Sequence, residues 1–215
     1  MKKSEKKTRL RNNIISAAHE YRDNLAGKVF LYVIGEKYFE VSFQTDRFMH
    51  LTGVNSSLNA QNFYEKAKDS VLTNQQFFFD SNHNFDSAKK KVSALQDLPK
   101  LTNSLVCALN DMSTLTLTYK LGLTNIDFTI GLTENVDFEG NKINEWFLPR
   151  TLRVGDKAIE NSIQSEFVDF IFSKDASHEK YDLSTFADES KTIPNSIMPL
   201  LSSELLDTML VAVNT

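Results

Sequence analysis

A change in hydrophobic periodicity near residue 103 places the strongest limit on how this chain can fold. Before it, apolar residues recur at helical spacing in three segments that surround one short β-hairpin pattern. After it, apolar and polar residues alternate, as in strands that bury one face. There is no regular alternation of strands with helices and no internal repeat. The pattern therefore predicts the α+β class with a mainly antiparallel sheet.

The three helical segments have recognisable ends. The first is predicted from about residue 4 to residue 26 and is ended by Gly27. The second, NAQNFYEKAKDSV, has Ser57 or Asn59 as its N-cap. The third, FDSAKKKVSALQDL, is predicted to end at Pro99 and to turn its run of lysines to solvent.

Two β-rich runs, KVFLYVIG and KYFEVSF, predict a hairpin that turns at Gly35 and Glu36. In the second run phenylalanines and Val41 alternate with Glu40 and Ser42. We therefore expect one buried face and one wet face.

The second half of the chain predicts further strands and a closing helix. STLTLTYKLGLTNIDFTIGL is typical of an antiparallel hairpin joined through LGLTN. EWFLPRTLRV and SEFVDFIFSK predict two more strands, whereas ENVDFEGNKIN and GDKAIENSIQ predict loops. SIMPLLSSELLDTMLVAV predicts an amphipathic helix with Ile197, Leu201 and Leu205 on one face. That face either docks on its own core or forms a homodimer.

With 215 residues, the chain is long enough for one sizeable domain with appendages. We divide it into an N-terminal basic helix at 1–27, an α+β domain at 28–190 and a C-terminal amphipathic helix at 191–215. No apolar run is long enough to span a bilayer, and no apolar segment follows the basic start. The single cysteine, Cys107, excludes an intramolecular disulfide and has the apolar context of a core thiol. We therefore expect a cytoplasmic protein without a membrane partner.

The basic residues are concentrated in two places. The net charge of −4 argues against a protein that coats nucleic acid through bulk charge. Lysines and arginines nevertheless crowd the N-terminus and recur at 89–91; the N-terminal ones are Lys2, Lys3, Lys6, Lys7, Arg9 and Arg11. Each group alone is more typical of solvated helix surface, although either has the charge to contact phosphates.

Familiar cofactor signatures are missing. The four histidines (His19, His50, His83 and His178) are scattered, and no pair has the close spacing of a helical metal motif. Neither GxxxxGK[ST] nor GxGxxG occurs. The sequence therefore predicts no metal and no other cofactor.

The stretch FMHLTGV offers one candidate site. It puts His50 beside Thr52 and Gly53, after a strand-like run and before a helix-like one. One interpretation is a surface histidine on a glycine turn. The other is an active-site turn that Phe48 and Leu51 anchor in the core and that holds His50 and Thr52 toward the open face of the sheet.

Cations in the later strands offer a second set. Arg150 and Arg153 in LPRTLRV are candidates for phosphate contacts, and Lys174 ends the strand FVDFIFSK. Surface salt bridges are the alternative for these three. Metal-free RNA cleavage requires a group that removes the 2′-hydroxyl proton, cations for the charged phosphorane and an acid for the leaving 5′-oxygen. A histidine suits either proton transfer because its pKa is near neutral.

The order of elements together with FMHLTGV resembles a known family, the fourth type of the phage-associated branch of the Barnase–EndoU–colicin–RelE superfamily. The resemblance rests on a β-run (KYFEVSF), an F-x-HLTG turn and a helix with the pair Phe63 and Tyr64. It covers roughly residues 25 to 185, and the later part matches in outline, as strands that carry a lysine and then a tyrosine.

The resemblance implies a fold of helices followed by a curved antiparallel sheet. It also implies an enzyme that cleaves RNA, often tRNA, without a metal. It implies His50 as the catalytic acid or base, Thr52 as a supporting hydroxyl and Gly53 as the turn residue. Lys174 and Tyr181 are the further catalytic candidates that it implies.

The leading hypothesis is therefore a metal-independent endoribonuclease with a toxin-like or mobile-element-conflict role. Its partners would be RNA, with tRNA as a candidate, and a neutralising protein. The alternative is a catalytically silent module of a mobile element or phage that binds RNA or protein. A structural or regulatory protein of a mobile element is a third hypothesis.

Overall fold

The computed structural model describes residues 2–113, 118–125, 127–155 and 164–213. Its α-helices are α1 (Lys3–Asn24), α2 (Phe48–Thr52), α3 (Ala60–Lys68), α4 (Phe85–Gln96), α5 (Lys100–Asn103) and α6 (Ser203–Val213). Its strands are β1 (Lys28–Ile34), β2 (Lys37–Ser42), β3 (Asn55–Ser56), β4 (Phe77–Phe78), β5 (Cys107–Ser113), β6 (Thr118–Thr124), β7 (Phe128–Val136), β8 (Lys142–Val154), β9 (Gln164–Phe167), β10 (Phe170–Asp175) and β11 (Leu183–Ala187). Short 3-10 turns lie at Thr45–Arg47 and Met198–Leu200.

One large open sheet organises the molecule. Its strand order is β11-β10-β1-β2-β8-β7-β6-β5-β9, and β3 pairs separately with β4. Neighbouring strands are antiparallel except β2 and β8, which are parallel and pair at Val41 and Phe147. The predicted α+β class with a mainly antiparallel sheet is confirmed.

The sheet must curl, because the consecutive strands β9 and β10 pair near its opposite edges. β9 pairs with β5 and β10 pairs with β1, although only Val168 and Asp169 separate them. Val168 N–H donates to the Val106 carbonyl at 3.0 Å, and Asp169 N–H donates to the Val33 carbonyl at 2.8 Å. SEFVDFIFSK is therefore two strands, not the single strand predicted.

Helices cover one face of the sheet. On this side, α1 contributes Ile14 and Tyr21 to a core that also contains Tyr32 of β1 and Val41 of β2. Tyr21 makes edge contacts with Phe43, Phe48 and Tyr64, at ring-centre distances of 6.2, 5.4 and 5.9 Å. Such aromatic contacts fix the helices on the sheet.

The C-terminal segment covers part of the other face. Val29 and Leu31 of β1 and Phe172 of β10 pack there against a second group: Tyr181, Ile197, Leu201 and Leu205. The predicted C-terminal helix therefore docks on its own sheet, although it is broken between Leu200 and Ser203.

That cover overturns one expectation about β2. Its second face was predicted to be wet, yet Ser42 is buried and the Tyr181 hydroxyl donates to the Glu40 carboxylate.

The local predictions fare differently. The β1–β2 and β6–β7 hairpins are confirmed, but most of LGLTN is strand, since β6 ends at Thr124 and β7 begins at Phe128. Asn59 caps α3 by accepting the Asn62 N–H at 2.8 Å. Helix α4 ends at Gln96, before Pro99. The alternation at 114–117 and most of GDKAIENSIQ lie outside the described residues.

Cys107 of β5 is partly exposed, and burial of its thiol raises its pKa. No helix in the described part of the chain combines the length and apolar character of a membrane span.

Candidate active site

The FMHLTGV stretch forms the short helix α2 with a left-handed ending. Phe48 and Leu51 are fully buried, which confirms that they anchor the turn. Gly53 caps the helix at φ +72°, a conformation that favours glycine. His50 lies between the two anchors and is exposed. The buried anchors therefore fix the backbone of the turn, which carries one exposed imidazole.

Thr52 does not share that exposure. It is fully buried; its Oγ1 donates to the Met49 carbonyl at 2.6 Å and accepts the Val54 N–H at 3.3 Å. The expectation that Thr52 faces the open side is therefore wrong. Its hydroxyl stabilises the turn instead.

The surroundings of His50 favour its neutral form. Although the residue is exposed, partial burial of the ring is the main cause that lowers its pKa. The positive charges of Arg150 and Arg47 lower the pKa further, whereas Asp46 opposes them. Most His50 side chains are therefore neutral and able to accept a proton at pH 7.

A β-bulge presents Arg150. Strand β8 packs against both α2 and α4, and its pairing with β7 shifts between Leu132–Pro149 and Gly131–Thr151. Arg150 is the extra residue of this bulge and is exposed. Bulges re-aim side chains and recur beside active sites. The irregularity explains how one strand supplies Arg150 close to His50.

Lys91 packs against the same turn, and the sequence pattern did not single it out. The lysine run was predicted to face solvent, yet Lys91 is only partly exposed. A Cβ on Gly53 would lie 2.7 Å from Lys91 Cδ, so the lysine stem packs closely against the turn. Burial, and then the charge of Arg153, lowers the Lys91 pKa. Helical spacing could have found it, because Lys91 lies between Ala88 and Leu95 on the buried stripe.

A surface cavity of about 370 Å³ adjoins Lys91 and Arg153. It is enclosed by the first turns of α4 and the end of β8, with lining residues Asn84, Asp86, Ser87, Lys90, Lys91, Arg153, Val154 and Gly155. We call the region of His50, Arg150, Lys91, Arg153 and this cavity the basic cleft.

Lys174 and Tyr181 lie elsewhere. Lys174 shares its face of β10 with Phe172, in the core under the C-terminal segment. Its Nζ lies 4.8 Å from the Tyr181 ring centre and donates to the Glu179 carbonyl at 3.1 Å. Tyr181 is 1% exposed, and burial, reinforced by Glu40, raises its pKa. The sheet separates both side chains from His50, so the structure does not bring the four catalytic candidates together.

The basic cleft lies within a region that matches a known family. Residues 13–190 match the family model of the phage-Barnase-EndoU-ColicinE5/D-RelE like nuclease 4. The chain belongs to this nuclease family. The match confirms the resemblance inferred from FMHLTGV and the order of elements. No curated protein and no solved structure matches the chain.

The family match includes every member of the basic cleft. Within the described residues, no group of three or more histidine, cysteine or acidic side chains is arranged to hold a metal ion. In the part of the chain that the structure describes, the charged or titratable groups of the cleft are the imidazole of His50, the ammonium groups of Lys90 and Lys91, two guanidinium groups and the carboxylate of Asp86.

Proposed function

We propose that this nuclease is a metal-independent endoribonuclease whose reaction takes place in the basic cleft. Neutral His50 removes the proton from a ribose 2′-hydroxyl, and the resulting oxygen attacks the adjacent phosphorus. The bond from phosphorus to the 5′-oxygen breaks, which leaves a 2′,3′-cyclic phosphate and a 5′-hydroxyl. The Lys91 ammonium supplies the proton to the departing 5′-oxygen.

The arginines have an electrostatic role in this proposal. Negative charge develops on the non-bridging oxygens as the phosphorane forms, and guanidinium groups can donate two hydrogen bonds to such oxygens. Arg150 is the nearer to His50, since its charge acts on the His50 pKa. Arg153 lies beside Lys91, whose pKa it lowers.

The observation that carries the proposal is an exposed His50 on a glycine-ended turn, whose pKa is lowered by burial and by the charge of the bulged Arg150. A histidine at a purely structural position would more often be paired. In the described residues, neither His50 nor Arg150 has a hydrogen bond or an ion pair with a carboxylate. Both therefore remain available to a substrate.

The direct test is cleavage of total tRNA and of a synthetic RNA by purified protein in excess EDTA. We expect products that end in 2′,3′-cyclic phosphate. His50→Ala should lower the rate by about 100-fold or more. His178→Ala is the matched control, because His178 is also exposed but is paired with Asp182 at 3.0 Å, far along the chain.

Two results would contradict this mechanism. A loss smaller than about tenfold in His50→Ala would remove His50 as the proton-transfer residue. Cleavage that stops in EDTA and returns with a divalent cation would overturn the metal-independent mechanism.

The biological role that we propose is toxin-like, in conflict involving phages or mobile elements. It is supported by membership of a phage-related nuclease family. Induced expression in bacteria should arrest growth with loss of intact tRNA, and His50→Ala should relieve the arrest. Growth without arrest, together with no tRNA cleavage in vitro, would favour the catalytically silent binding module. A neutralising protein should restore growth when it is co-expressed with the active chain.

A further inference from the structure

The two basic segments of the sequence lie side by side in the fold. Helix α1 carries the N-terminal cations and α4 carries the lysine run, and the two helices pack against each other. A groove of about 760 Å³ lies between them, lined by Lys6, Arg9, Leu10, Asn13, Phe85, Asp86, Lys89, Lys90 and Ser93. We call it the α1–α4 groove. Segments separated by about 80 positions thus form one surface.

The groove is continuous with the basic cleft. Asp86 and Lys90 line both the α1–α4 groove and the cavity beside Lys91 and Arg153. A bound chain could therefore pass from one to the other along α4. From residue 84 to residue 93, α4 extends this path by about 14 Å at 1.5 Å per residue.

The cations of the groove are open to solvent. Lys6, Arg9, Lys89 and Lys90 are exposed, and none has an ion pair within the described ranges. Several exposed lysines elsewhere are paired, for example Lys100 with Asp97 at 2.6 Å. Asp86 is the one carboxylate among the groove's described lining residues. In a chain of net charge −4, this is a local positive surface.

The floor of the groove is partly apolar. Leu10 is buried, and Phe85 is partly exposed with its ring in edge contact with Phe79 at 5.4 Å. An aromatic ring in a groove that cations also line suits single-stranded nucleic acid, because bases stack on the ring while phosphates contact the cations.

We propose that the α1–α4 groove binds the RNA strand several nucleotides from the cleaved bond. Its placement relative to the cleavage site rests on the function proposed above. The groove makes the enzyme selective for an extended RNA strand over a dinucleotide. It also assigns a binding role to the N-terminal helix, which lies outside the chemistry.

The first test is a triple variant, Lys6→Gln, Arg9→Gln and Lys89→Gln, which leaves the basic cleft intact. The KM for an RNA of about 12 nucleotides should rise on the order of tenfold, whereas kcat should stay within about twofold. Cleavage of a dinucleotide should not change. Lys100→Gln, Lys142→Gln and Lys191→Gln together are the control, since they remove the same charge from exposed lysines outside the groove.

A measurement of RNA affinity tests the groove independently of catalysis. The affinity of the His50→Ala protein for a fluorescent 12-nucleotide RNA is measured at several salt concentrations, with and without the three groove changes. The slope of log affinity against log salt should fall in magnitude by about 2 when three phosphate contacts are lost. Thermal melts confirm that each variant is folded.

The outcomes are distinguishable. Unchanged KM, affinity and salt slope in the triple variant would overturn the groove, even if RNA is cleaved at His50. If the chain cleaves no RNA but binding depends on the groove cations, the groove stands and the endoribonuclease proposal fails.

Discussion

The two faces of the central sheet carry similar polar groups in opposite situations. The helix-covered face holds His50, Arg150 and Lys91 at its margin, and the other holds Lys174, Tyr181 and Glu40. Under the C-terminal segment each group has a fixed partner, since Tyr181 donates to Glu40 and Lys174 contacts both the Tyr181 ring and a carbonyl. His50 and Arg150 are instead exposed.

The comparison shows that residue type alone does not mark a site. A buried tyrosine that donates to a carboxylate, with a partly exposed lysine over its ring, stabilises the fold. His50 lies on a rigid turn and Arg150 on a bulge. Neither is paired with a carboxylate in the described residues, so both can form hydrogen bonds with a ligand. The four predictions that follow test this division.

The largest effect is expected for Arg150→Ala. Loss of a guanidinium that stabilises the phosphorane should lower kcat by about 10²- to 10³-fold. The melting temperature should change little, because Arg150 is exposed. Arg22→Ala is the control, since Arg22 is exposed and paired with Asp23 at 2.6 Å. Equal activity of the two variants would contradict the assignment of Arg150.

Gly53→Ala should impair both stability and activity. Gly53 has φ +72°, and an added Cβ would collide with the Lys91 stem at 2.7 Å. We expect a loss of about 1–2 kcal/mol in the free energy of unfolding and at least a tenfold lower kcat, as Lys91 is displaced. Gly140→Ala controls for backbone strain, because Gly140 has φ +89° with open space around it. An active Gly53→Ala protein would argue against a role for Lys91.

Tyr181→Phe should affect stability without affecting catalysis. The change leaves the Glu40 carboxylate without its hydroxyl donor and should lower the free energy of unfolding by about 1–3 kcal/mol. RNA cleavage well below the melting temperature should match the wild type. Tyr38→Phe, at a side chain 47% exposed, should change neither quantity. Lost activity in folded Tyr181→Phe would place catalysis on the other face.

The smallest effect is a displaced pH profile. Arg150 disfavours the protonated imidazole, so Arg150→Gln should raise the His50 pKa towards its ordinary value of 6.5. The acid limb of kcat/KM, normalised to its plateau, should then move to higher pH in the variant. The limb should still lie below 6.5, because burial continues to lower the pKa. A limb that does not move would mean that His50 is not the titrating base.

Much of the fold followed from periodicity because the local patterns agreed with the tertiary structure. Alternation predicted the hairpins, and helical spacing predicted α1, α3 and α4. The anchors Phe48 and Leu51 and the glycine ending at Gly53 were also predictable from local chemistry.

The errors concern what covers a face. Alternation indicates that Phe172 and Lys174 share a face, but only the tertiary structure shows that the C-terminal segment buries it. Thr52 was misplaced because its hydroxyl is satisfied within its own turn. Lys91 was missed because a lysine stem can pack on a core while its ammonium reaches a cleft.

The division between the two faces is tested most directly by RNA cleavage in EDTA with two variants side by side, His50→Gln and Lys174→Gln. The account predicts that His50→Gln loses at least about 100-fold in single-turnover rate, while Lys174→Gln stays within about threefold of the wild type. Full activity in His50→Gln with loss in a folded Lys174→Gln protein would contradict it, and would move the active site to the other face of the sheet.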